Sequence, residues 1–292
     1  LLTTQKQKDM LLDSVIYVLL FCIMIATLYP FYYVLVISFN QGKDSLLGDI
    51  YLWPRSFTLE NYATFLTDSN WYNSLFVTVA RTGAGTLLGV LFTSLVAYGL
   101  SHKDLLFSKV YFAVIIFAMY FSGGLIPYYV VLRSLGLLNT FGVYVIPSML
   151  STFFLLIAIS FFREIPIELK ESAYIDGANE FVIFFKIILP VSTPLLATMS
   201  LFLGVGQWNS WLDSAYFVQS DSLRTLTFRM MEIINKSNIP IESVGAAASA
   251  SGVTNYSLQV TSMVVSIAPI VCVYPFLQKY FVKGIMLGSV KG

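Results

Sequence analysis

Glu168–Pro190 reads ELKESAYIDGANEFVIFFKIILP and is the most polar interruption in a very apolar chain. Pro166, just ahead of it, suits the start of a helix, where a missing N–H costs nothing. A helix is expected from Ile167 to Ile175, and Asp176-Gly177 supplies a turn. Asn179 is placed to cap a second helix, whose apolar positions Phe181, Phe184, Phe185 and Ile188 follow at i, i+3, i+4 and i+7. Pro190 is expected to end it. The stretch therefore reads as two short helices hinged at Gly177, set between apolar segments and shaped to dock something outside the lipid.

The surrounding composition gives that reading its setting. Of 292 residues, 57% are hydrophobic and 11% charged, with a mean hydropathy of +0.76. Soluble domains carry about a quarter charged residues, so this is an integral membrane protein. A net charge of +1 leaves no basic surface for nucleic acid. Cys22 and Cys272 stand singly in apolar runs and read as packing residues rather than a disulfide or metal pair. His102, the single histidine, lies in a short loop beside Lys103 and reads as solvated.

A bilayer-spanning helix needs roughly 20 apolar residues. Six such runs are expected: Val15–Phe39, Leu75–Leu100, Val110–Leu132, Gly142–Phe162, Val191–Leu212 and Gln259–Phe281. Lys6 and Lys8 precede the first run, which is too long for a signal peptide and lacks a cleavage site, so it reads as a retained span. Pro30, Pro127, Pro147, Pro194, Pro269 and Pro275 fall inside these runs, which kinked spans tolerate when neighbours satisfy the freed carbonyls.

Lys103, Lys109, Arg163, Lys170, Lys186, Lys279, Lys283 and Lys291 join Lys6 and Lys8 on one side, in short segments. The positive-inside rule makes that side cytoplasmic, with both termini and the hinged pair. Outside lie two long loops, 40–70 and 214–258. Trp53, Trp71, Tyr72, Trp208, Trp211 and Tyr216 near their roots read as an interfacial aromatic belt, with sugar stacking as the rival role. The small-residue run Gly245–Thr254 reads as a loose linker or a slim finger. No soluble domain boundary appears, so residues 1–292 are expected to form a single membrane domain.

The spacing inside the hinged pair is specific. Glu171-Ser172-Ala173, three residues ending in Asp176, Gly177, nine residues, then Ile187-Ile188-Leu189-Pro190 resembles the EAA signature of ABC importer permeases, with Ser172 in place of the first alanine. The resemblance implies an all-α fold of six transmembrane helices with a cytoplasmic coupling helix, the type I importer permease fold. It implies that Glu171, Ser172, Ala173, Asp176, Gly177, Ile187, Leu189 and Pro190 engage an ATPase subunit. Ala173 is expected to permit close approach to that partner, Gly177 the reversal, and the apolar stripe of the second helix a seat on the membrane boundary.

Ser38-Phe39-Asn40, Leu135-Gly136-Leu137-Leu138-Asn139-Thr140 and the tail from Lys283-Gly284 to Lys291-Gly292 extend the similarity over nearly the whole chain. The sequence is similar to the maltose-type second permease of carbohydrate importers, and within that group to permeases for complex or uronic-acid oligosaccharides, such as the smaller permease of alginate importers. The implied function is ATP-driven, binding-protein-dependent import of oligosaccharides by alternating access. The implied partners are a second, related permease, two ATPase subunits carrying ATP and Mg, an extracytoplasmic substrate-binding protein, the sugar itself and membrane lipid. In that family a finger enters the binding protein's cleft, and Gly245, Ala247, Ser249, Ser251 and Gly252 are the equivalent candidates. The family's tail reaches between the ATPases, and Gly284, Gly288 and Gly292 would lend it flexibility.

The chain has no phosphate-cradling G-x-x-x-x-G-K-[ST]; Gly42-Lys43 lacks the upstream glycine and the hydroxyl. It is therefore expected to bind no cofactor itself and to be no enzyme, in the bacterial inner membrane. Arg81, about 9 Å into the second span by helical rise, reads either as a pore-facing anion attractor or as a snorkelling side chain. Gln207 with Trp211, and Asn209 with Asp213, share helix faces by i, i+4 spacing; with Trp208 they line a candidate route for hydroxyl-rich cargo. Two other functions remain open on the residues alone. An intramembrane enzyme of glycan metabolism would need a gathered acidic or metal site, and an ATP-independent sugar carrier would leave the EAA spacing unexplained.

Overall fold

A computed structural model describes residues 2–67, 69–237 and 252–289, and among these the chain is helical, with a single isolated β-bridge between Asn40 and Phe57. Six apolar segments are present, three as continuous helices and three as bent pairs. We label the helices α1 (Leu2–Ser38), α2 (Ser69–Ser101), α3 (Ser108–Tyr120), α4 (Leu125–Ser134), α5 (Thr152–Glu164), α6 (Ile167–Ile175), α7 (Glu180–Val191), α8 (Thr193–Asn209), α9 (Leu212–Phe217), α10 (Leu226–Ser237) and α11 (Asn255–Ser289). They group into two compact units, residues 1–68 with 232–268 and residues 69–231 with 269–292.

In the first unit, α1 is apolar on all sides, and no residue of its hydrophobic window is buried in its own chain. Its last turns pack, Val36 and Ile37 closing on Ile50 and Val260. The loop that follows is tied by Asn40, which donates to the Gln41 carbonyl (3.1 Å), to Asp44 Oδ2 (3.0 Å) and to Ser45 Oγ (2.9 Å). It also accepts the Ser56 N–H at 2.8 Å.

The second unit is built on α2. Gly85, Gly89, Thr93, Ala97 and Ser101 recur every fourth residue and are all on its buried face. Small residues at that spacing let helix backbones approach closely in lipid, where packing rather than water exclusion drives association. Against this stripe lie α8 and α5, and the core between them holds Ala97, Tyr98, Leu155, Ile159, Phe162 and Met199. A Cβ added at Gly85 would stand 2.7 Å from the Gln207 amide.

The third expected span is not one helix: α3 and α4 meet at 115°, broken at Phe121–Gly124. Gly124 has φ +85° and ψ 175°, a backbone region essentially closed to other residues. The fourth bends by 43° between Ser148 and Thr152. There the Thr93 hydroxyl on α2 donates to the Met149 carbonyl and accepts the Ser151 N–H, both at 3.2 Å, so the break leaves these two groups paired. The fifth turns by 82° between α7 and α8. Pro127, Pro147 and Pro194 therefore sit in opening turns, where no N–H is required. Pro30, Pro269 and Pro275 stand inside helices.

Several smaller expectations are corrected. Cys22 and Cys272 are exposed on helix surfaces, not packed inside the chain. Trp71 and Trp208 are buried, leaving Trp53, Tyr72 and Tyr216 as exposed aromatics. Gly284 and Gly288 lie within helix α11 rather than in a loose tail.

Candidate coupling elbow and buried arginine cluster

The hinged pair folds as the residues require. After α6 the chain reverses at Gly177, φ +79°. Its N–H donates to the Tyr174 carbonyl and the Ala178 N–H to the Ala173 carbonyl, both at 3.0 Å, the double closure of a Schellman cap. Asn179 then caps α7, its Oδ1 accepting the Val182 N–H at 2.9 Å. Pro166 occupies the capping position of α6 itself.

The second helix departs from the expected stripe. Residues 184–188 form a π-turn, and the helix runs one residue past Pro190 to Val191. Pro190 has no N–H to close an α-turn, and the wider turn ahead of it rotates the buried face. Ile183, Phe184 and Ile188 are consequently buried, whereas Phe181 and Phe185 are exposed.

Glu180 ties this elbow together. Its carboxylate accepts hydrogen bonds from Tyr98 Oη on α2 (2.6 Å) and from Tyr174 Oη on α6. Lys170 Nζ lies 5.0 Å from the centre of the Tyr98 ring. His102 is not simply solvated: its Nδ1 is 3.0 Å from the Tyr98 carbonyl and its Nε2 is 3.7 Å from Glu180 Oε1. The bond to the Glu180 carboxylate is the main reason the Tyr174 phenol is pushed up to about 12. Burial draws the Lys170 ammonium below its ordinary value. Beside the elbow a cavity of about 460 Å³ is walled by Leu95, Gly99, Leu105 and Phe184.

The signature residues divide into two sets. Glu171, Ser172, Asp176 and Gly177 are exposed, as are Glu168 and, at 87%, Ile175. Ala173 is buried in the chain's own core, so its small size serves internal packing rather than close approach to a partner. Ile187 and Leu189 are half-buried against that core, and Pro190 is exposed.

Arg81 neither snorkels nor faces an open route. It is 2% exposed, and each guanidinium nitrogen is engaged. Nε donates to Gln207 Oε1 (2.8 Å), Nη1 to the Ser210 carbonyl (3.0 Å) and Nη2 to Asp213 Oδ2. The Tyr144 ring lies 4.6 Å beneath the guanidinium carbon, and its hydroxyl donates to the Leu223 carbonyl at 2.7 Å. Gln207 Nε2 in turn donates to Ser148 Oγ at 2.6 Å.

The helix-face pairing of Gln207 with Trp211 and of Asn209 with Asp213 is also corrected. Helix α8 ends at Asn209, and Ser210 is extended before α9 begins at Leu212. That break bares the Ser210 carbonyl and lets Gln207 and Asp213 converge on Arg81. Asn209 is exposed and Trp211 half-buried; Trp208 is buried, its carbonyl accepting from Thr227 Oγ1 at 2.9 Å. Of the finger candidates, Gly245, Ala247, Ser249 and Ser251 lie outside the described residues. Gly252 lies inside them, with Glu60 Oε2 2.8 Å from where its Cβ would be.

Sequence reasoning missed Tyr144, Ser148, Ser210 and Glu180, because each acts through a partner remote in sequence. The small residues at four-residue spacing along α2 were the one available signal. Among the described residues no group of three or more His, Cys, Asp and Glu side chains is placed to hold a metal.

No family model matches the chain. The polygalacturonan/rhamnogalacturonan transport system permease protein YtcP of Bacillus subtilis (strain 168) is 36% identical over 285 residues, covering 98% of this chain and 100% of that protein. The chain belongs to the permease family of ABC sugar transport systems. Other relatives of this permease include the arabinooligosaccharides transport system permease protein AraQ of Halalkalibacterium halodurans, 28% identical, with 90% of this chain and 91% of that protein covered. Among solved structures, a chain of a bacterial ABC transporter involved in the import of the acidic polysaccharide alginate matches with a TM-score of 0.85 and 28% identity. That match covers 94% of this permease and 98% of the solved chain. The permease is thus an all-α membrane subunit and not itself an enzyme; in this family ATP hydrolysis belongs to separate subunits.

Proposed function

We propose that this permease is half of a heterodimeric pore importing acidic oligosaccharides, driven through the α6 elbow by an ATPase subunit. The observation that carries the coupling role is the outward face of α6. Glu168, Glu171, Ser172 and Ile175 are exposed together on a helix, with Asp176 just past its end, and the helix is tied to the chain's core through Ala173 and through the Tyr174 bond to Glu180. A helix held rigidly on one side and bare on the other transmits a push rather than absorbing it.

The pore partner is a second, related permease. Two ATPase subunits, binding ATP and Mg, act from the cytoplasm, and a substrate-binding protein delivers the sugar from outside. Both termini lie inside, in the bacterial inner membrane, and the two units work as one transmembrane domain. ATP binding closes the ATPases, the elbow moves with them, and the pore exchanges inward-open for outward-open access. A nucleotide or sugar shifts that exchange only by binding one state more tightly.

The acidic cargo follows the polygalacturonan/rhamnogalacturonan relative and the alginate transporter. Arg81 is no part of that recognition, since it is 2% exposed and each guanidinium nitrogen is bonded within the chain. Exposed Asn209 and half-buried Trp211 remain the candidates of this subunit for lining the route. The test is ATPase stimulation of the reconstituted transporter with its binding protein, across neutral and uronate oligosaccharides. Stimulation by galacturonate or other uronate oligomers is expected. Stimulation by neutral sugars alone would refute the acidic cargo, and transport without an ATPase partner would refute the coupling.

A further inference from the structure

The loop after α1 presents an apolar surface that neither the elbow nor the Arg81 cluster uses. Leu46, Leu47, Tyr51, Leu52 and Trp53 are between 56% and 78% exposed, while Ile50 in their midst is 3% exposed and seated on Val36, Ile37 and Val260. The segment is held, not loose. Arg55 Nε bonds Asp44 Oδ1 at 2.9 Å, and its Nη2 reaches the carbonyls of Asp44 (3.2 Å) and Gly48 (3.4 Å). Gly48 and Asp49 turn through the left-handed region, at φ +77° and +59°.

Its depth follows from α1. Counting from Val15, the first residue beyond Asp13 and Ser14, roughly 20 residues fill a hydrocarbon core of about 30 Å, which ends near Val34. Tyr32 stands in that last turn, and Ser38 lies about 9 Å further along the axis. The Tyr32 hydroxyl donates to the Leu52 carbonyl at 2.5 Å. Helical side chains lean toward the N-terminus, so that phenol sits no higher than its own Cα. The loop therefore folds back from the end of the span toward the bilayer, beside a helix its own chain leaves bare.

We infer that Leu46–Trp53 is a membrane hook: a rigid interfacial element that seats its leucines and Trp53 in phospholipid at the headgroup–acyl boundary. Trp and Tyr favour that boundary, where a ring buries its apolar body and keeps its polar edge wet. The nearby polar groups are held within the loop: Asp49 accepts from Tyr51 Oη at 3.3 Å, and Arg55, 46% exposed, is paired with Asp44. The hook would fix the rotation and depth of α1 without help from the rest of its chain. It depends only on the chain being a membrane permease, not on the cargo or the ATPase contact.

The test uses the complete transporter with Cys22 and Cys272 replaced by alanine, reconstituted in phosphatidylethanolamine–phosphatidylglycerol vesicles. Nitroxide labels are placed singly through Leu47→Cys and Trp53→Cys, and collisions with oxygen and with a water-soluble nickel chelate are compared. Oxygen is expected to collide more often than nickel at both positions, with the labels within about 10 Å of the phosphate plane. Dominant nickel collisions would place the loop in water and overturn the hook. Protection from both reagents, or protection that appears only with the binding protein, would assign the surface to a protein partner and overturn it equally. Position 47 keeps Trp53 intact, so the two labels report independently.

Discussion

Replacing Asp213 by alanine removes the one carboxylate facing a guanidinium that is 2% exposed. Breaking a buried ion pair on one side costs about 3–5 kcal/mol, mostly because the remaining charge is left unpaired. Two features reduce that figure here. The Asp213 side chain is 31% exposed, so water reaches the vacated side, and Arg81 keeps its bonds to Gln207 and Ser210. A loss of about 2–3 kcal/mol is the expected result. At the roughly 2–4 °C per kcal/mol of larger globular domains, the purified permease should unfold about 4–12 °C lower in a detergent melt. Asp213→Asn retains an acceptor oxygen and should fall between wild type and alanine. The double substitution Arg81→Met with Asp213→Leu removes both charges and should recover most of the loss, since no unpaired ion remains. A shift below about 1 °C for Asp213→Ala would show a hydrated guanidinium and refute the lock. So would a double variant as unstable as the sum of its singles.

Four further outcomes are expected. Gly177→Ala meets no atom within 4 Å, so its cost is the left-handed backbone alone, about 1–2 kcal/mol in a melt. Gly177→Pro cannot adopt φ +79°, and affinity capture should recover the permease without its ATPase; intact assembly and transport would refute the coupling role. Gly85→Ala drives a Cβ to 2.7 Å from the Gln207 amide and should lower the melting temperature, whereas Gly83→Ala, with open space beside it, should not. The elbow should also weaken at high pH. The folded state holds the Tyr174 proton up to about 12 against 10.0 ordinarily, so its contribution is complete below pH 10 and lost as pH rises through about 12. Phenolate absorbance followed against pH, with Tyr174→Phe as the comparison, reads that window.

Much of the architecture was legible before any coordinate. Apolar run length announced six membrane segments, and the spacing from Glu171 to Pro190 announced the elbow, because turn and cap chemistry is local. Gly177 and Asn179 behave as their residue types require, one by lacking a Cβ, the other by offering an oxygen to a bare N–H. Two of the lesser motifs behind the family resemblance, at Asn40 and Asn139, proved to be internal ties. Asn139 accepts the N–H groups of Gln219 (3.0 Å) and Ser220 (2.8 Å), and Asn40 organises the loop after α1.

Only the tertiary structure decided how the spans break and where the charges go. Hydropathy records length, not direction, so it did not reveal the 115° bend at Phe121–Gly124. Periodicity assumes an unbroken helix; the π-turn ahead of Pro190 and the extended Ser210 each reset the register and moved side chains to new faces. Arg81 shows the limit most plainly. From sequence it is a lone charge in lipid, and such a charge suggests function. Its partner lies 132 positions away, beyond any local pattern, and once the pair is formed the charge is structural. Residue type and spacing determined that this chain is a permease with a hinged elbow; long-range contact alone decided which polar groups remain free to act.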